Sequence, residues 1–271
     1  MKTRVISGIV IALLLVVFMM AGGYPLGIIL LLLSLSAYYE LTRAFGEKKE
    51  SDKSIDAMQI WGYIVIFIHY LFIMWKQTMD TYIFSVMLAF FGIMIIYVIK
   101  FPKYKVSVAL YSVFSFVYAP IMLSFIYMLR IMENGKFLAW LPFVAWICDT
   151  CAYFAGRTLG KHKMTPVLSP KKTIEGAIGG IIGSVVAGAI YGLIYANVYG
   201  KEKGIIIAFV IITFVASIIS QIGDLTASGI KREHNIKDYG NLIPGHGGIM
   251  DRFDSVIFVA PMIYFLAAAL L

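Results

Sequence analysis

Apolar residues run along this chain in long unbroken blocks, and polar and charged residues gather in the gaps between them. The blocks cover, approximately, residues 5–21, 24–45, 57–75, 81–99, 106–129, 137–154, 174–198, 204–225 and 253–271. Each is close to the roughly 17–25 residues that a helix needs to cross the hydrocarbon of a bilayer. In a stretch such as Ile28 to Leu33 every position is apolar, so the alternation required of a β-barrel strand is missing. The pattern predicts an all-α polytopic integral membrane protein with about nine transmembrane helices. The first block resembles a signal peptide, with Lys2 and Arg4 ahead of it and Ala21-Gly22-Gly23 behind. It is long for that role and another span follows at once, so it reads as an uncleaved first helix.

Composition agrees. Of 271 residues, 61% are hydrophobic and 14% charged, against roughly 45–50% and about 25% in soluble domains. Water-soluble, disordered and fibrous classes are excluded. The net charge of +8 would suggest nucleic acid in a soluble domain. In a membrane protein it points instead to topology, anionic lipid headgroups and phosphate-bearing substrates, and no nucleic-acid partner is expected. With nine spans, 18 of the 23 Lys and Arg residues fall on the amino-terminal side and 5 on the other. The positive-inside rule then places the amino terminus and the even-numbered loops in the cytoplasm, for a multi-pass protein of the inner (cytoplasmic) membrane. Cys148 and Cys151, without a second pair to complete a zinc site, read as small packing residues. His69 reads as hydrogen-bonded packing, and Trp61, Trp75 and Trp140 as anchors near span ends.

Two connections, about 155–173 and about 226–252, are long and chemically loaded, both on the predicted cytoplasmic side. The first 136 residues read as amino-terminal transmembrane helices, about five of them. Residues 137–271 read as a carboxy-terminal catalytic transmembrane region containing both loops. Between Ser220 and Asp254 lie five of the chain's 15 acids. Asp224 closes one span while Asp251 and Asp254 open the next, and ionisable groups at membrane depth usually mark a site or a pair. Carboxylates at two helix ends, with Lys and Arg nearby, fit a Mg²⁺–polyphosphate site, because Mg²⁺ takes one or two carboxylates plus phosphate oxygens. Asp224 and Asp251 are the candidate metal ligands, with structural pairing to Lys or Arg as the competing reading. Asp254, three residues after Asp251, is a ligand or an orienting neighbour.

Pro244-Gly245-His246-Gly247-Gly248 precedes a helix start. Its backbone N–H groups and the helix dipole suit phosphate, although interhelical turns use glycine freely. Gly245, Gly247 and Gly248 are candidate phosphate-binding positions, and His246 is an acid–base group or a simple donor. Asp149 lies inside the sixth block, as part of the site or as a buried partner for a cation. Ser169, Lys171, Lys172 and Thr173 precede another helix start, as an anion site or as juxtamembrane charges serving topology. Gly176/Gly180, Gly179/Gly183 and Gly188/Gly192 are spaced for close helix approach, within the fold or across a homodimer.

Ser228-Gly229-Ile230-Lys231-Arg232, four residues, Lys237-Asp238, and then Pro244 through Asp254 resemble the signature of phosphatidate cytidylyltransferases (CDP-diacylglycerol synthases), with no departure across 27 positions. Gly223-Asp224-Leu225 and Ser169 through Gly176 also resemble that family, whereas before about residue 140 the likeness is one of hydropathy and length. The resemblance implies an Mg²⁺-dependent membrane enzyme that converts CTP and phosphatidate to CDP-diacylglycerol and pyrophosphate, with a second metal or a monovalent cation left open. It implies catalytic roles for Asp224, Lys231, Arg232, Lys237, Asp238, His246, Asp251, Arg252 and Asp254. Asp149, Arg157, Ser169, Lys171, Lys172, Thr173, Ser228 and the three loop glycines would contact substrate. The alternatives are a CTP-dependent transferase or kinase for another lipid and, from a different class, an ion-coupled transporter. A transporter usually shows repeats and interrupted helices near mid-membrane; no repeat is evident here, and the acids cluster at one face.

Overall fold

The apolar blocks are helices wherever they are described. In a computed structural model, which describes residues 13–46, 55–243, 245 and 247–271, eight helical segments are long and apolar enough to cross a membrane. Ahead of them α1 covers residues 13–21, the described part of the first expected span; residues 5–12 lie outside the described residues. Then follow α2 (Gly23–Phe45), α3 (Ala57–Lys76) and α4 (Asp80–Ile99). The span Val106–Ile131 consists of α5 (Val106–Phe116), a π-helical turn (Val117–Ile121) and α6 (Met122–Ile131). Pro120, which has no N–H to donate to the helical ladder, lies in that turn. The next span joins α7 (Gly135–Leu138), a 3₁₀ turn (Leu141–Phe143) and α8 (Val144–Thr158). Last come α9 (Ile174–Tyr199), α10 (Ile205–Glu233) and α11 (Met250–Leu270).

Two expected boundaries need correction. The loop read as 226–252 begins only after Glu233, because α10 runs on past the end of its apolar block. Ser228, Lys231 and Arg232 are therefore helical, and Asp224, Ser228 and Lys231 recur at the spacing of one helix face. The 155–173 connection is also more ordered than expected. Its second half is a two-stranded antiparallel hairpin, β1 (Lys163–Thr165) with β2 (Ser169–Thr173), the one sheet among the described residues of an otherwise all-helical chain. Thr173 ends β2 and caps α9, its hydroxyl accepting from the Gly176 N–H at 3.1 Å.

The chain divides into two compact units, one formed by residues 1–131 with 234–252 and the other by 132–233 with 253–271. In the first, α2 packs on α3 and α3 on α4. Several polar side chains there are buried against polar partners. His69 is fully buried between the hydroxyls of Ser85 and Ser124, each 3.0 Å from a ring nitrogen, the packing role expected of it. Asp56 and Gln59 close a capping box at the start of α3, and the Gln59 amide donates to Thr42 on α2 at 3.0 Å. Trp61 is not an interfacial anchor: its ring N–H donates to the Leu88 carbonyl, and the missing side chain of Gly92 makes room for the indole.

In the second unit α9 lies between α8 and α10. Its glycines make that possible. A side chain at Gly180 or Gly183 would run into Cys148 or Cys151 of α8, and one at Gly188 or Gly192 into Thr213 or Phe209 of α10. The spaced glycines thus serve packing within the chain, and the two cysteines are unpaired packing residues. Substituting Gly183 by Leu is expected to overpack the α8–α9 contact by about 1–3 kcal/mol and lower the thermal midpoint in detergent. Ile190→Leu, at an exposed position of the same helix, should leave the midpoint unchanged.

Candidate active site

Where the apolar run of α10 gives out, the second unit gathers charge. Asp149 comes from α8, Asp224 and Lys231 from α10, Asp254 from α11 and Lys172 from the hairpin. Lys172 makes a close ion pair with Asp224, both side chains about a quarter exposed. Asp149 and Asp254 each lie near enough to Asp224 for its charge to act on them, and Lys231 acts on Asp254 from the other sign. Asp254 is buried, and one of its oxygens accepts from the Ser255 N–H at 2.8 Å. The Ser255 hydroxyl in turn donates to Asp149 at 3.3 Å, tying α11 to α8. Three carboxylates are gathered with two lysines, with Asp254 buried, Asp224, Lys172 and Lys231 partly exposed and Asp149 exposed, so acids outnumber cations in a site that a ligand can reach. The donors are hard carboxylate oxygens, the kind Mg²⁺ selects.

The first unit holds the loop of residues 234–249 and the first turn of α11. Gly245 and Gly247 have φ of 78° and 85°, values that favour glycine, and the Ile243 N–H closes the turn onto the Gly247 carbonyl at 2.9 Å. Pro244 and His246 lie outside the described residues, so the reading of His246 stands on sequence. Asp251 is fixed by the backbone: its Oδ2 accepts from the Tyr239 N–H at 2.8 Å and from the Gly248 N–H at 3.0 Å. Beside this loop a cleft of about 410 Å³ is lined by Ser36, Tyr39, Glu40, Arg43 and Tyr63 from α2 and α3 and by Asn241.

The sequence model of the cytidylyltransferase family matches residues 2–270. The phosphatidate cytidylyltransferase of Staphylococcus haemolyticus (strain JCSC1435) is 32% identical over 268 residues, spanning 97% of each chain. That of Bacillus subtilis (strain 168) is 30% identical over 282 residues, spanning 99% of this chain and 98% of its own. The chain belongs to the cytidylyltransferase family.

The cytidylyltransferase signature is therefore distributed over both units. Ser228, Lys231 and Arg232 belong to the α10 end of the second unit, as does Asp254, whereas Lys237, Asp238, Asp251 and Arg252 belong to the first. Arg232, Lys237, Asp238 and Arg252 are exposed. In the hairpin Lys171 is exposed, Ser169 half-buried and Thr173 spent on its cap. Arg157 donates to the Tyr153 hydroxyl at 3.1 Å near the exposed end of α8. Among the described residues no three His, Cys, Asp or Glu side chains are grouped to hold a metal on their own. An Mg²⁺ that arrives with a triphosphate needs only one or two.

Sequence reasoning missed two contributors to this cytidylyltransferase architecture. Ser255 links two of the acids, and its position beside Asp254 was the available signal. Glu40 lies inside the second apolar block, yet its buried carboxylate accepts from the Ile249 and Met250 N–H groups at 2.9 and 2.8 Å. An acid within a span was signal enough, but the family likeness drew attention to the carboxy-terminal half. Lys172→Met would strip Asp224 of its ion-pair partner. Cytidylyl transfer is expected to fall by about 100-fold or more, with Lys172→Arg retaining a larger share. Wild-type turnover by Lys172→Met in a rate assay would refute a working role for the pair.

Proposed function

We propose that this protein transfers CMP from CTP to phosphatidate, yielding CDP-diacylglycerol and pyrophosphate for phospholipid synthesis. A phosphate oxygen of the lipid attacks the α-phosphorus of CTP, the bond from that phosphorus to the β-phosphate bridging oxygen breaks, and pyrophosphate departs. The attacking phosphate is already anionic, so neither a protein nucleophile nor a strong base is required. What the reaction does require is alignment of two highly charged groups and compensation of their charge. The observation that carries this reading is the gathering of Asp149, Asp224 and Asp254 with Lys172 and Lys231 in a chain related to phosphatidate cytidylyltransferases over nearly its whole length.

Asp224 and Asp251, at the ends of their apolar runs, are the carboxylates we assign to Mg²⁺, which when bound would neutralise the triphosphate and the departing pyrophosphate. Lys172 and Lys231 supply positive charge beside the acids, and Arg232, Lys237 and Arg252, all exposed, would hold phosphate oxygens. Buried Asp254 and Ser255 hold Asp149 in place. The uneven distribution of Lys and Arg supports an active site on the cytoplasmic face of the inner membrane, where CTP is available, with the lipid entering from the bilayer. The ion-coupled transporter loses its ground with membership of a nucleotidyl-transferring family.

Purified protein given labelled CTP, phosphatidate and Mg²⁺ should form a CDP-lipid. Asp224→Asn and Asp251→Asn should each reduce the rate by more than about 100-fold, beyond the loss typical of a residue that only supports a ligand, without altering the thermal midpoint. Failure of the folded wild-type protein to make the CDP-lipid would refute the activity. Undiminished turnover in either variant would refute that residue's assignment.

A further inference from the structure

We propose that Glu40, on α2, is a positioning residue for cytidylyl transfer, holding the amino-terminal turn of α11 so that Asp251 is preset. The inference rests on the functional reading above. Glu40 is 5% exposed and lies within an apolar helix, where a carboxylate is costly unless fully partnered. Its partners are backbone. Oε1 accepts from the Ile249 N–H at 2.9 Å and Oε2 from the Met250 N–H at 2.8 Å. These amides belong to the start of α11, where unpaired N–H groups and the helix dipole both favour an anion. The carboxylate therefore caps a helix 209 residues further along the chain.

The surrounding glycines are shaped to this contact. A Cβ added at Gly240 would fall 2.6 Å from the Glu40 carboxylate, and one at Gly248 would overlap it. Gly240 follows Tyr239, and the Tyr239 N–H and the N–H of Gly248 itself converge on Asp251 Oδ2. Two carboxylates thus grip adjacent parts of one loop. Glu40 fixes Ile249 and Met250, and the next residue is Asp251. With both Glu40 oxygens directed at amides, the side chain acts through the loop and not as a ligand.

Hydrogen exchange and kinetics together test this, using full-length protein in detergent. In Glu40→Ala, peptides covering residues 239–252 should exchange about 10-fold faster or more, because charge-assisted hydrogen bonds are lost, while peptides from α9 keep their protection. The Mg²⁺ concentration for half-maximal CDP-lipid synthesis should rise by about 10–100-fold, the range for residues that support a metal ligand. Glu40→Gln, which retains shape and one acceptor, should lie between wild type and Glu40→Ala, and Gly248→Ala should reproduce the Glu40→Ala behaviour from the other side of the contact. Unchanged exchange in the folded variants would overturn the proposal. So would faster exchange with an unaltered Mg²⁺ requirement, which would make Glu40 a structural anchor only. If wild-type protein made no CDP-lipid the functional reading would fail, and the exchange result would still decide whether Glu40 holds the loop.

Discussion

Placing a carboxylate at the depth of a membrane-crossing helix costs free energy unless each oxygen meets a donor or a cation, and this chain does so repeatedly. Much of the second unit follows from that constraint. Asp224 is met by Lys172, which comes from a hairpin whose last residue caps α9. For that hairpin to serve α10, α9 must lie close against both α8 and α10, and glycines along α9 allow this. Asp149 and Asp254 are linked through Ser255 in the same neighbourhood. The hairpin thus supplies both the cation that meets Asp224 and the residue that caps α9.

The first unit solves the same problem by other means. Two of its acids, Glu40 and Asp251, are partnered by backbone N–H groups from one glycine-containing loop. These backbone donors orient both carboxylates from one loop. The cationic residues of the same loop, Lys237 and Arg252, remain exposed. Such a division suits chemistry on a triphosphate, which calls for negative groups to hold a cation and positive groups to receive phosphate oxygens.

Eight of the nine expected spans are matched by long apolar helices among the described residues, because bilayer thickness imposes a length that few other constraints can mimic. The candidate acids were legible for a related reason, since charge in an apolar run stands out. Helix ends were less so: α10 extends to Glu233 although its apolar run stops near Leu225, because helical hydrogen bonding continues wherever capping and solvent permit. The hairpin at Lys163–Thr165 and Ser169–Thr173 gave no alternating pattern long enough to read. Trp61 was misread because a tryptophan near a span end usually meets the interface, and its true neighbour, Gly92, is visible only once α3 and α4 are packed. Glu40 shows the limit of reading by resemblance: the family signature lies far from it in sequence, while its contacts lie within that signature.

On the proposed function, the carboxylates around Asp224 receive a divalent cation together with a nucleoside triphosphate. Electron paramagnetic resonance of Mn²⁺ titrated into the protein with CTP reports this directly, because bound and free Mn²⁺ give distinct signals. On this account, wild-type protein with CTP should immobilise Mn²⁺, whereas Asp224→Asn under the same conditions should leave only the spectrum of the Mn²⁺–CTP complex free in solution. Equal Mn²⁺ binding by the wild-type and Asp224→Asn proteins would contradict it.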